Sequence, residues 1–159
     1  MKSILLIEKE TPTVNSLSWF FLALQLEPVV VHRWPSPLKS LQTQQFTAVF
    51  VNVEMTTVNI DDIFKRFPQD VADPVPVFYF YTRTFAPRVR HAEKFPYRAS
   101  FKKPLKLEEI YRSLSEAVPL KFKPRRSMDY RSKLSEFKHF SDEFKSWLDG
   151  LERLITPES

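Results

Sequence analysis

Seven residues of this chain carry groups with the means to do chemistry together: Glu8, Lys9, Glu10, Asn52, Tyr81, Thr82 and Lys103. The first three follow the apolar run ILLI at 4–7, Asn52 closes AVFV at 48–51, Tyr81 and Thr82 end VFYFYT, and Lys103 lies in ASFKKP. Covalent attack is a poor fit to them. An acyl phosphate needs a carboxylate nucleophile, and Asn52 offers an amide. Magnesium wants several hard oxygen ligands in near-octahedral array. Lys9, set between the two glutamates, opposes such an ion, since unit charges about 4 Å apart interact by about 4 kcal/mol at an effective dielectric of about 20. Lys9 is therefore expected to take the place such an ion would need and to pair with Glu8 or Glu10. Glu54, two residues past Asn52, reads as a solvated loop acid.

The elements that must bring these groups together are legible as short apolar runs. ILLI at 4–7, VVV at 29–31, AVFV at 48–51, VFYFY at 77–81 and ASF at 99–101 are β-branched or aromatic and mostly continuous, as strands buried on both faces are. Helical spacing of apolar residues recurs between them. It spans 13–26 (Leu17, Phe20, Phe21, Leu24, Leu26), 59–67 (Ile60, Ile63, Phe64, Phe67) and 107–118 (Leu107, Ile110, Tyr111, Leu114, Val118). Weaker helical stretches are expected at 36–42 and 85–95. Five strands alternating with five helices predict an α/β fold, a five-stranded parallel sheet with helices on both faces. In such sheets ligands and chemistry collect at the carboxyl ends of the strands, which is where all seven residues fall.

Composition removes several classes of function. The chain has 159 residues, 43% of them hydrophobic and 15 of them Phe, enough to bury a core. It has no Cys, and so no disulfide framework, thiolate metal site or Cys nucleophile. Its single glycine, Gly150, excludes the glycine-rich phosphate loops of nucleotide-hydrolysing and dinucleotide-binding proteins. His32, His91 and His139 sit on three different elements without the spacing of a zinc site. No metal, cofactor or enzymatic activity is expected. No apolar run approaches the roughly 18 residues of a membrane span, and MKSILLIEKE turns charged too soon for a secretory signal. A cytoplasmic protein is expected.

Beyond Val118 the pattern changes. The domain is expected to cover 1–119, and PLKFKPRR at 119–126, basic and with two prolines, opens a linker over 120–127. From Tyr130 apolar residues return in steps of four and three, through Leu134, Phe137, Phe144, Leu148, Leu151 and Ile155, broken only by Ser141. Phe140, Trp147 and Leu154 form a second stripe. The spacing predicts a long C-terminal amphipathic helix over 128–156 whose seam packs on its own domain, a second copy or another protein.

With these elements in place, the chain resembles the receiver domain of two-component response regulators over residues 3 to about 118. ILLIEKE resembles the family's first strand and acidic pair, FTAVFVNVEMTT its third strand and loop, VPVFYFYT its fourth strand, and FKKPLKLEEI its fifth strand with the Lys-Pro dipeptide. The resemblance implies a flavodoxin-like fold and assigns the phosphoacceptor position to Asn52. It places the metal-binding acidic pair on Glu8 and Lys9, with Glu10 following, the phosphate-sensing hydroxyl on Tyr81 or Thr82, and the phosphate-contacting lysine on Lys103. Asn52, Lys9 and Tyr81 all depart from the family's pattern. A degenerate pocket, independent of phosphorylation, is the expectation.

Function then shifts to the surface. Residues 83–106 hold eight basic residues, Arg83, Arg88, Arg90, Lys94, Arg98, Lys102, Lys103 and Lys106, against one acid, Glu93. The resemblance makes this a partner face, and its charge suits an acidic protein. A solvated surface is the plain alternative, and nucleic acid is disfavoured because no reading helix or stacking aromatics accompany the charges. The chain reads as a protein interaction module of bacterial signalling, motility or localisation, with a homodimer through the C-terminal helix as a further expectation. An atypical phosphoacceptor and a small DNA-binding regulator are the alternatives.

Overall fold

The computed structural model describes residues 2–120. Along the chain run β1 Lys2–Ile7, α1 Thr11–Ala23, β2 Leu26–Val31, β3 Ala48–Asn52, α2 Ile60–Arg66, β4 Val77–Tyr81, α3 Pro87–Ala92, β5 Ala99–Lys102 and α4 Leu107–Ala117. All five strands pair in parallel, in the order β2-β1-β3-β4-β5. The chain order reverses between β1 and β3, which makes the crevice beyond their carboxyl ends the switch point of the sheet.

The strands' two-residue period divides the core into two layers. Ile4, Leu6, Ala48, Phe50, Phe78 and Phe80 pack with Leu17, Phe21, Ile110 and Leu114 of α1 and α4. Leu5, Ile7, Val49, Val51, Val77 and Tyr79 pack with Ile63 of α2 and with Val89 and Ala92 of α3. Phenylalanine fills the first layer, with Phe50 centred 5.0 Å from Phe21 and 4.7 Å from Phe78. Each such ring contributes about 1.5–3 kcal/mol by leaving water. In the second layer Tyr79 stacks on Tyr97 at 4.5 Å, and its hydroxyl donates to the Ala92 carbonyl at 2.8 Å, tying the end of α3 to the sheet.

Two expected helices are shorter than the sequence spacing implies. At 36–42 there is a single 3-10 turn, Lys39–Gln42. Pro35 and Pro37 stand just before it, and a proline removes a donor and bars a helical residue ahead of it. The chain instead runs on from β2 to form a parallel bridge between Trp34 and Val58, with Trp34 N–H donating to Thr57 at 3.0 Å and Asn59 N–H to Trp34 at 2.9 Å. The stretch at 85–95 narrows to the six residues of α3, which opens on Pro87. Gln25 takes the left-handed turn after α1, at φ 61°, where glycine is the usual choice. The linker, the long C-terminal helix and its seam from Tyr130 to Ile155 lie outside the described residues, as does His139.

Candidate functional site

The pocket at the switch point is built around one buried anion. β1 is apolar and fully covered at Ile4, Leu5, Leu6 and Ile7, and the ladder continues one residue further as Glu8 N–H donates to Val31 at 3.1 Å. That step carries Glu8 into the crevice with none of its surface exposed. An unpaired carboxylate there costs several kcal/mol, so every lone pair has to be answered. Oε1 accepts from the backbone N–H of Lys9 at 2.9 Å and of Glu10 at 3.1 Å. Asn52 Nδ2 lies 3.2 Å from Oε1 and 3.1 Å from Oε2, and Lys103 Nζ lies 3.1 Å from Oε2. The Glu8 carbonyl is in contact with His32 Nδ1 at 3.0 Å, so backbone and side chain are both held.

Asn52, 8% exposed, is fixed by its two sides. Its amide nitrogen faces a carboxylate that can only accept, and its Oδ1 accepts the Glu54 N–H at 3.0 Å. The orientation is thereby set by partners, not by choice of label. Lys103 follows β5 by one residue and reaches Glu10 Oε2 at 2.9 Å as well as Glu8, over the Phe80 ring at 5.4 Å. The cation expected between the glutamates is thus Lys103 and not Lys9. Lys9 supplies its N–H to Glu8 while its residue is exposed, and among the described residues it forms no ion pair. Adjacent residues at the end of a strand point apart, which is why Lys9 cannot follow Glu8 inward.

Glu54 is the residue whose role sequence reading missed. It is no solvated loop acid: its side chain is 14% exposed and grips the next loop. Oε1 accepts from the N–H groups of Thr82 and Arg83, and Oε2 accepts from Arg83 Nε at 3.1 Å. Burial pushes its carboxyl up, yet those hydrogen bonds and the Arg83 charge outweigh burial and hold it below the ordinary carboxylate value. The signal for it was the strand register. Asn52 sits opposite Phe80, so two further residues on each strand bring Glu54 beside Thr82. Thr82 therefore contributes a backbone donor, while Tyr81 is half-buried and packs against the second core layer.

The basic residues separate into two groups. Lys103 is drawn into the pocket and Arg83 is paired with Glu54, although the Arg83 side chain stays 78% exposed. Arg88, Arg90, Lys94, Arg98, Lys102 and Lys106 are exposed, with Lys106 4.0 Å from Glu109. Phe85, overlooked in the sequence, is 79% exposed among them, with the Arg90 guanidinium 5.9 Å from its ring centre. His91 lies 3.8 Å from Asp61 at the surface. No cluster of three or more metal-ligating side chains occurs among the described residues. No described helix is long and apolar enough to cross a membrane.

No family model matches the chain, and no curated protein matches it in sequence. Solved structures do. The chain is similar to the receiver domain of a sensor histidine kinase from Pseudomonas aeruginosa PAO1, determined with a magnesium ion coordinated in its active-site cleft. The two share 16% identity and a TM-score of 0.60 over 72% of this chain and 95% of that one. It is likewise similar to a response regulator receiver protein from Burkholderia phymatum, at 15% identity and TM-score 0.61 over 76% and 100%. A two-component response regulator from Clostridium difficile gives 14% and 0.60 over 74% and 95%. The chain has the receiver fold of two-component signalling proteins. Its own crevice does not fit a magnesium ion: the Lys103 ammonium and the Asn52 amide N–H groups already take up the Glu8 carboxylate that such an ion needs.

Proposed function

We propose that this chain is a receiver-fold interaction module that works without phosphorylation, in bacterial signalling, motility or localisation and in the cytoplasm. One observation carries the reading: the buried Glu8 carboxylate is neutralised by Lys103 and bridged by Asn52, so the crevice holds its own cation and offers no nucleophilic carboxylate. A pocket in that state has no chemistry to perform, and the protein is not an enzyme. Output then rests on stoichiometric binding. The exposed cations Arg88, Arg90, Lys94, Arg98, Lys102 and Lys106 favour an acidic protein partner. The apolar seam of residues 130–155 supplies a second contact surface, for this domain, a second copy or another protein. Incubation with acetyl phosphate and magnesium, followed by intact mass measurement, tests the reading. The mass is expected to stay unchanged, and the gain of one phosphate would overturn it.

A further inference from the structure

The loop that follows β4 is pinned at its start. Glu54 receives the N–H groups of Thr82 and Arg83 together with the Arg83 side chain, and the next residues display Phe85 to solvent. Leu22, Leu38 and Val71 are also exposed, at 38%, 54% and 50%, but Phe85 exceeds them at 79% and stands beside Arg90. Arg88, Arg90 and Lys94 extend this patch along and beyond α3, and among the described residues none of the three forms an ion pair. An exposed aromatic ring beside one arginine, with further exposed cations along and beyond the same helix, calls for an occupant that is apolar and acidic together.

The same chain contains such a segment. Residues 140–152, FSDEFKSWLDGLE, carry Asp142, Glu143, Asp149 and Glu152 against Lys145 alone, and interleave them with Phe140, Phe144, Trp147, Leu148 and Leu151. Asp142 and Asp149 are seven apart, so at helical spacing they share a stripe that flanks the apolar one. Length is no obstacle. The 20 residues after Leu120, through Phe140, span up to roughly 65 Å when extended, whereas a domain of this size has a radius of gyration of about 14 Å.

Resting on the reading of this face as an acidic-partner site, we propose that its first occupant is the chain's own segment 140–152, docked on Phe85, Arg88, Arg90 and Lys94. Glu54 acts as a positioning residue that holds the loop in the receptive shape. An external acidic partner must displace the segment, so the protein binds that partner with its own competitor built in.

The chain has no native cysteine, which makes a single spin label at Ser146→Cys clean in the full-length protein. The label is expected to broaden the backbone amide signals of residues 83–94, and Arg88→Glu with Arg90→Glu is expected to restore them. Glu54→Ala is expected to speed amide exchange at Thr82 and Arg83 and to weaken the broadening severalfold. Unchanged broadening in that variant, despite faster exchange, would remove the positioning role of Glu54. Broadening that falls when the labelled chain is diluted with unlabelled chain means that the segment reaches a second copy, and overturns the dock within one chain. Amides that stay sharp yet shift on addition of polyglutamate overturn the dock and leave the acidic-partner reading standing. Amides that neither broaden nor shift remove both.

Discussion

The crevice at the sheet's carboxyl edge and the patch around α3 both carry charged side chains and treat charge in opposite ways. In the crevice each charge is answered: Glu8 by Lys103, Asn52 and two backbone donors, and Glu10 by Lys103 again. On the patch Arg88, Arg90 and Lys94 are exposed and meet no acid among the described residues, Arg88 donating to the Met55 carbonyl at 3.4 Å, and Phe85 is exposed beside Arg90. A satisfied buried network specifies one arrangement and is costly to disturb. An unsatisfied exposed one costs little to change, because water answers its charges until a partner does. Under the proposed function, recognition falls to the patch while the crevice is a closed network, and Glu54 links the two.

Substitutions break that division in a graded order. Lys103→Met leaves Glu8 buried without its cation and is expected to cost about 3 kcal/mol in urea unfolding. A loss under about 0.5 kcal/mol would mean that Glu8 is neutralised in some other way. Asn52→Asp sets a second carboxylate against Glu8, which is 3.1–3.2 Å from the present amide nitrogen. One of the two is then raised in pKa on folding, so its penalty is present at neutral pH and relieved as pH falls toward that pKa. The expected loss is about 2 kcal/mol at pH 7 and shrinks on acidification, and a loss that grows with acid would contradict the assigned contacts.

Smaller effects sharpen the link and the patch. Glu54 is held below its ordinary value of 4.5, so its clasp is fully present above that pH and is lost as pH falls through the lower folded value. Glu54→Gln is therefore expected to flatten the acid limb of the stability curve. An acid limb identical to that of the parent chain would show that the clasp is not formed in solution. Arg88→Glu with Arg90→Glu is expected to change unfolding stability by less than about 0.5 kcal/mol, as exposed positions do. A large loss there would make the patch structural.

The fold was legible because its strands are continuous apolar runs of the length that a doubly covered parallel sheet demands, and all five fall where those runs lie. The helix expected at 36–42 failed on local chemistry, since Pro35 and Pro37 outweigh a short apolar period. Glu8, Glu10, Asn52 and Lys103 could be brought to one edge from the chain, because strand ends converge there. Their pairing could not: neighbours at a strand end diverge, so Lys9 leaves the crevice that Glu8 enters, and Lys103 arrives from 95 residues away. Glu54 was hidden for a related reason. Its partners are fixed by the β3 to β4 register, which becomes readable once Asn52 is known to oppose Phe80.

The claim on which the rest depends is that Lys103 already fills the place of a cation beside Glu8 and Glu10. Titration of magnesium into the full chain, followed by the backbone amide signals of Lys9, Glu10, Asn52 and Glu54, tests it directly. The account predicts no saturable shift at millimolar magnesium. A saturable shift confined to those amides would show that the ion displaces Lys103, and would contradict it.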